Sequence, residues 1–206
     1  MTVVNTAALI VLGIVMQIGG AYLVNAAVLC LQDTGAGVQY SAYMEAVRSF
    51  DTRTIVQAIV VMPLIEELVF RLIFLRAGKM IVPFWAANLI QATLFGIYHT
   101  VTIQKIYGFV LGLMIGCVFY YCPIIYRAKG GSQLLGLPNS LLGYGMTVIL
   151  HITINAAGIY LAPLLPPDLP VTLQITMGTI LLTMAGVACF VLYRQSSFAI
   201  RAEESS

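Results

Sequence analysis

The sequence predicts an all-α membrane protein: a polytopic helix bundle of about six transmembrane helices with one short interfacial helix. Three observations carry this. Of the 206 residues, 60% are hydrophobic and 9% are charged, whereas soluble domains carry about 25% charged residues. The apolar residues fall into runs of about 20, the length a helix needs to cross the hydrocarbon layer. The charges collect between those runs, apart from a few that lie within them. A net charge of +2 and the lack of a basic run argue against a nucleic-acid partner. No linker or low-complexity segment divides the chain, so residues 1–206 read as a single membrane domain.

The first run, residues 2–31, has no basic residue ahead of it and is too long for a signal-peptide core, so it reads as an uncleaved, tilted first helix. Residues 32–54 are polar enough to leave the membrane, and Gly35 and Gly37 break the first helix. Tyr40, Tyr43, Met44, Val47 and Phe50 then recur at helical spacing, with Glu45, Arg48 and Asp51 between them. That pattern predicts a short helix lying in the interface.

Residues 55–75 form the second run, which ends near Arg76 and Lys79. Pro83 and Trp85 mark the interface before a third helix reaching about Thr100. The fourth helix covers about 107–126, and its Gly108, Gly112 and Gly116 make a flat stripe for close packing. Lys129, Gly130 and Gly131 form turns in a loop over 127–139. The fifth helix covers about 140–161, Pro163, Pro166, Pro167 and Pro170 make a stiff turn, and the sixth helix covers about 171–193. Cys30, Cys117, Cys122 and Cys189 all lie in apolar segments without a CxxC pair and read as inert thiols.

With six crossings, Arg76, Lys79, Arg127, Lys129, Arg194 and Arg201 fall on one side, and Arg48, Arg53 and Lys105 on the other. The excess of basic residues puts both termini in the cytoplasm.

The charges inside the runs are the informative part. The second run contains Glu66, Glu67 and Arg71. Ionised groups at membrane depth cost roughly 2.5–3.5 kcal/mol each on insertion scales, and are usually functional. Glu67 and Arg71 are four apart with the acid N-terminal, the favourable order for a pair on one helix face. Glu66 is turned about 100° away and is left to face something else. The chain has only two histidines, His99 and His151, and both lie in apolar runs; Asn155 shares a helix face with His151. Gathering these six residues into one cluster avoids scattering them in lipid. One difficulty arises from simple chain counting: Glu66 and His99 reach the same depth only if the connection over 79–85 dips into the membrane or the third helix starts late.

Glu66-Glu67-x-x-x-Arg71, then Phe95-x-x-x-His99, then His151-x-x-x-Asn155, in that order and each on its own helix, resembles the motif set of the CPBP intramembrane proteases. That family takes in the type II CAAX prenyl endopeptidases and the bacteriocin-processing, or Abi, proteins. The resemblance covers about residues 55–158, which would be the catalytic core. It implies hydrolysis of a peptide bond in a membrane-associated or prenylated protein or peptide. Glu66 would be the general base on a water, and His99 would hold that water or shuttle its proton. His151 and Asn155 would donate to the oxyanion, with Glu67 and Arg71 as the supporting pair. No cofactor is preferred. The alternative is a zinc ion on Glu66, His99 and His151, although the spacing lacks HExxH. Two other functional classes stay open: a catalytically silent immunity or scaffold protein, and a proton-coupled transporter. The expected setting is an integral multi-pass protein of the plasma membrane, its partners being the lipid bilayer and a peptide substrate.

Overall fold

The computed structural model describes residues 3–128, 138–166 and 168–204. Lys129, Gly130, Gly131 and Pro167 lie outside the described residues. Among the described residues all regular structure is helical, so the all-α bundle expected from composition is present. Helix α1 covers Val3–Cys30 and α2 covers Gly35–Arg48. A composite rod follows over residues 52–78, built from α3 (Thr52–Val56), a π segment (Gln57–Val61), α4 (Met62–Glu67), a second π segment (Leu68–Leu75) and α5 (Arg76–Gly78). Backbone angles at every junction are right-handed helical, so the rod is continuous. Then come α6 (Phe84–Tyr98), α7 (Thr102–Ala128), α8 (Asn139–Tyr160), a 3-10 turn (Ala162–Leu164) and α9 (Val171–Glu204).

Among the described residues four helices, not six, are long and apolar enough to cross a membrane by themselves: α1, α7, α8 and α9. The two that fall out of the expected count are the rod and α6, and the reasons differ. The rod is long enough but is interrupted by π turns. Helix α6 has 15 residues and spans about 22 Å, short of the ~30 Å hydrocarbon layer. These two elements carry Glu66, Glu67, Arg71 and His99. The last helix is also longer than expected, continuing past residue 193 to Glu204.

The four long helices form the scaffold. Helix α1 packs on α8 and α9, and α7 packs on α8 and α9. Leu9, Met16, Leu111, Ile115, Val118, Met146, Leu150, Ile154 and Ala185 fill the space between them. The face of α9 turned away from this core exposes Ile180, Met184, Val187 and Phe190, a surface suited to lipid.

The rod and α6 lean on this scaffold. Helix α6 packs against α7 along the glycine stripe. A side chain at Gly112 would come within 3.1 Å of Ala92, and one at Gly116 would collide with the Asn88 amide. Between lipid-solvated helices apolar burial gives little drive to associate, so small residues and interhelical hydrogen bonds do the work. Here the Asn88 Nδ2 donates to the Leu113 carbonyl at 3.0 Å, and Gln91 Nε2 donates to the Gly112 carbonyl at 2.9 Å.

The interfacial helix appears where its periodicity put it. Tyr40, Tyr43, Met44, Val47 and Phe50 are half-buried, and Glu45, Arg48 and Asp51 are exposed. Gly35 opens this helix and Thr34 caps it. The Thr102 N–H and hydroxyl both donate to Gln39 Oε1, at 3.1 and 3.3 Å, and tie α2 to the start of α7. At the opposite end of the bundle Lys79 Nζ sits 3.5 Å over the Tyr120 ring, and the Tyr121 and Tyr193 rings are 5.6 Å apart.

Candidate active site

The rod is irregular because Pro63 interrupts its ladder. The Met62 N–H reaches back five residues to the Gln57 carbonyl rather than four to Ala58, and residue 63 has no N–H to offer. The second irregularity follows the glutamates: the Arg76 N–H reaches back five residues to the Arg71 carbonyl and is shared with the Ile73 carbonyl. Single π turns inside α-helices are often found at functional sites. Between the two, the short α4 turn presents Glu66 and Glu67. Pro63, Glu66, Glu67, Phe70, Arg71 and Leu75 face inward, while Leu64, Ile65, Leu68, Ile73 and Phe74 are exposed on the outer face.

Glu67 and Arg71 are both wholly buried, with Arg71 Nη1 3.2 Å from Glu67 Oε1. The expected pair is therefore in contact. Glu67 has a second partner that spacing along one helix does not disclose. His151 Nδ1 on α8 lies 2.8 Å from the same Glu67 oxygen, and His151 Nε2 lies 3.5 Å from Glu66 Oε2. His151 thus stands between the two acids, and Glu66 faces the histidine. A carboxylate accepts, so the Glu67 contact assigns the Nδ1 proton to His151.

Phe95 is the other organiser. Its ring lies 4.4 Å beneath the Arg71 guanidinium and makes edge contacts with His99 (5.0 Å) and His151 (5.9 Å). The Arg71 nitrogens make no well-aligned hydrogen bond among the described residues, so the Phe95 face is a principal polar neighbour of the cation, beside Glu67. The sequence placed Phe95 in a motif without giving it a role. Its position one turn ahead of His99 was the available signal.

His99 follows the last residue of α6 in extended backbone, half-buried, with Nδ1 2.9 Å from the Phe95 carbonyl. The carbonyl accepts, so Nδ1 carries the proton and Nε2 is left with its lone pair. Gly108 of α7 makes room for the ring: a side chain there would come within 3.1 Å of His99 Nδ1. Measured from the turn at 79–83, Glu66 is about 18 Å along the rod and His99 about 22 Å along α6. Helix α6 starts where Pro83 and Trp85 placed it; the rod's continuation to Gly78 is what lengthens the return from Glu66 and brings the two residues to similar depth.

Glu66, Glu67, Arg71 and His151 are in direct contact, and His99 joins them through Phe95. Asn155 is directed elsewhere: its Nδ2 donates to the Ala58 carbonyl at 2.9 Å. Tyr144, not singled out by the sequence, donates from α8 to the rod carbonyl of Leu64 at 3.1 Å. Two apolar clefts, about 200 and 190 Å³, are lined by none of these residues: one lies between the end of the rod and α6, at Gly78 and Gln91, and the other between α1 and α8, at Ile14 and Thr153. Among the described residues no three His, Cys, Asp or Glu side chains are grouped closely enough to hold a metal ion. Glu66, His99 and His151, as placed, do not form such a group.

No curated protein and no solved structure gives a significant match to this sequence. Residues 49–200 match the family model described as type II CAAX prenyl endopeptidase Rce1-like. That span includes the rod, α6, α7 and α8, with every residue of the buried cluster. The chain accordingly belongs to the Rce1-like type II CAAX prenyl endopeptidase family, a family of proteases.

Proposed function

We propose that this protein is an intramembrane endopeptidase that uses Glu66 to activate a water. The carrying observation is the contact chain Arg71–Glu67–His151–Glu66, at 3.2, 2.8 and 3.5 Å. A scaffold protein has no use for a histidine wedged between two buried acids. An acid, Glu67, fixes the Nδ1 proton of the imidazole, and the other imidazole nitrogen faces Glu66.

In this reading Glu66 takes the proton of a water poised against the scissile carbonyl. His99, with Nδ1 committed to Phe95, offers its Nε2 lone pair to orient that water. With His151 doubly protonated, the charges of Glu66, Glu67, Arg71 and His151 sum to zero, which limits the cost of burying them. The His151 Nε2–H would then donate to the developing oxyanion. The substrate class is a peptide bond in a membrane-associated or prenylated protein, in keeping with the family. We place the catalytic core within residues 55–158 of a single membrane domain. The protein is read as residing in the plasma membrane with both termini cytoplasmic. The Lys79–Tyr120 and Tyr121–Tyr193 contacts support that side assignment, since they gather Arg76, Lys79, Arg127 and Arg194 near one end.

The test is Glu66→Gln in purified protein with a prenylated peptide. The amide keeps shape and reach but accepts no proton. Cleavage should fall by a factor on the order of 10²–10⁴ with substrate binding retained. Undiminished cleavage by this variant would remove Glu66 from the centre of the mechanism. Loss of activity to a strong chelator, restored by added zinc, would replace the glutamate-activated water with a metal-bound one.

A further inference from the structure

The two oxygens of the Glu67 carboxylate are unequally served. Oε1 faces Arg71 Nη1 at 3.2 Å and His151 Nδ1 at 2.8 Å. Oε2 is buried and, among the described residues, has no hydrogen-bond partner. A buried carboxylate oxygen without a donor is costly, the more so at membrane depth where no water replaces it. A donor stands beside it. Thr147 lies on α8 one turn before His151, is 0% exposed, and holds its hydroxyl within interaction range of the Glu67 side chain. Tyr144 and His151, on the same stripe of α8, also contact the rod. The Thr147 hydroxyl donates back to the Tyr144 carbonyl at 3.1 Å. That bond is long for O–H···O, whose usual length is about 2.7–2.8 Å. The Tyr144 carbonyl also lies inside α8, where the residue-148 N–H already serves it. A charge-assisted bond to a carboxylate is roughly twice as strong as a neutral one, and a hydroxyl hydrogen turns freely about its C–O bond.

We propose that Thr147 is a positioning residue: its hydroxyl donates to Glu67 Oε2 and clamps the carboxylate against rotation, so that Oε1 stays on His151 Nδ1 and His151 Nε2 stays turned to Glu66. Thr147 acts through Glu67 and His151 and does not touch the substrate. The carboxylate is then held from both sides, by Arg71 and His151 on one oxygen and by Thr147 on the other. The coupling to cleavage rests on the reading of Glu66 as base; the bond between hydroxyl and carboxylate does not.

The experiment compares wild type, Thr147→Val and Thr147→Ser in liposomes. Valine keeps the branched shape and loses the hydroxyl; serine keeps the hydroxyl and loses the methyl. Cleavage of a prenylated peptide should fall about tenfold to a hundredfold in Thr147→Val, the range that a hydrogen bond to a charged group spans, in kcat with KM kept. Thr147→Ser should recover most of it. The chain has two histidines, so 15N labelling of the rings gives two Nδ1–H signals, told apart with His99→Gln. In Thr147→Val the His151 signal should shift and broaden, because the carboxylate it bonds becomes free to turn, and Thr147→Ser should restore it. The His99 signal, held by the Phe95 carbonyl, is an internal control. An unmoved His151 signal or undiminished cleavage in Thr147→Val overturns the proposal. So does a serine variant that fails to recover, since the methyl and not the hydroxyl would then matter. Should Thr147→Val fail to fold, Thr147→Ser and Thr147→Ala decide on the same two readouts: serine near wild type with alanine impaired supports the proposal, and equal behaviour of the two overturns it. Should Glu66→Gln prove fully active, the base assignment falls while the His151 signal still tests the Thr147–Glu67 bond.

Discussion

The scaffold helices α1, α7, α8 and α9 and the motif-bearing pair, the rod and α6, are built on different terms. The scaffold helices are continuous and long, and they are held by interdigitated Leu, Ile, Met and Val. The rod is twice widened by π turns, and α6, with 15 residues, is shorter than a full span. Irregular backbone at membrane depth is tolerated only where protein groups satisfy it, and here they do. Asn155 and Tyr144 of α8 reach the rod carbonyls of Ala58 and Leu64. The regular region therefore serves as both support and hydrogen-bond donor to the irregular one. The acids sit in the irregular part because a π turn and a short helix can direct side chains to depths and angles that a straight span cannot.

The sharpest way to test this division is to remove charge from one region and bulk from the other. Arg71→Ala leaves Glu67 buried beside His151 without its cation, and breaking a buried pair costs about 3–5 kcal/mol. Thermal unfolding in detergent should show a large loss, with cleavage abolished. Ile180→Ala on the lipid-facing side of α9 should change stability by no more than about 0.5 kcal/mol. Equal stability of the two variants would mean that the buried cluster is not what holds the rod in place.

The seam between the two regions comes next in size. Gly116→Leu drives a side chain into the Asn88 amide and should cost about 1–3 kcal/mol by overpacking. Cleavage should fall with it, because α6 carries His99. Gly145→Ala on α8 meets nothing within 4 Å and should be neutral, or stabilising by roughly 0.5–1 kcal/mol from the lower entropy of the unfolded chain. Unfolding curves for the two variants separate a seam glycine from an idle one.

How much of this was legible in the sequence follows the same line. Helices α1, α7, α8 and α9 were evident from length and hydropathy, since each is a single apolar run. The face of α2 was evident from the spacing of Tyr40, Tyr43, Met44, Val47 and Phe50. The pairing of Glu67 with Arg71 followed from their i,i+4 spacing. The count of six crossings exceeds the four long apolar helices because an apolar run says nothing about π turns, and because the third run, placed nearly right, makes a helix of only 15 residues. Glu67 to His151 spans 84 positions, and only the packing of α8 against the rod makes them neighbours. The hydrogen bond from Asn155 to the Ala58 carbonyl spans 97 positions, and no local pattern announces it. Family resemblance located the cluster but not the wiring inside it.

A smaller effect belongs to Phe95, which bridges the regions. Phe95→Leu keeps an apolar side chain but removes the ring face under Arg71 at 4.4 Å. A desolvated cation–π contact contributes up to about 2 kcal/mol. Stability should fall by that order or less, and cleavage should fall further, because His99 and His151 lose a shared wall. Phe95→Tyr retains the ring and should recover more activity than Phe95→Leu, measured as initial rate on the same peptide.

The smallest expected effect lies where the rod leaves the membrane for water. Asp51 caps α3: the Thr54 N–H donates to Asp51 Oδ1 at 2.8 Å. The Thr54 hydroxyl first, and its backbone N–H next, hold the Asp51 carboxyl below the usual carboxylate range. A depressed folded-state value means that the cap contributes fully above the ordinary Asp pKa of ~3.9 and is lost as pH falls through the lower folded value. Acid should therefore fray the first turn of the rod while the buried ladder around Asn155 stays closed. Hydrogen exchange of the Thr54 amide should quicken relative to wild type at neutral pH once the pH drops below about 4, after correction for intrinsic exchange. Asp51→Asn caps as well as aspartate but does not titrate, so its protection should stay flat across the same range. A wild-type Thr54 amide whose protection is as flat as the variant's would show that the rod is held from within the membrane alone, and that its water-side cap is idle.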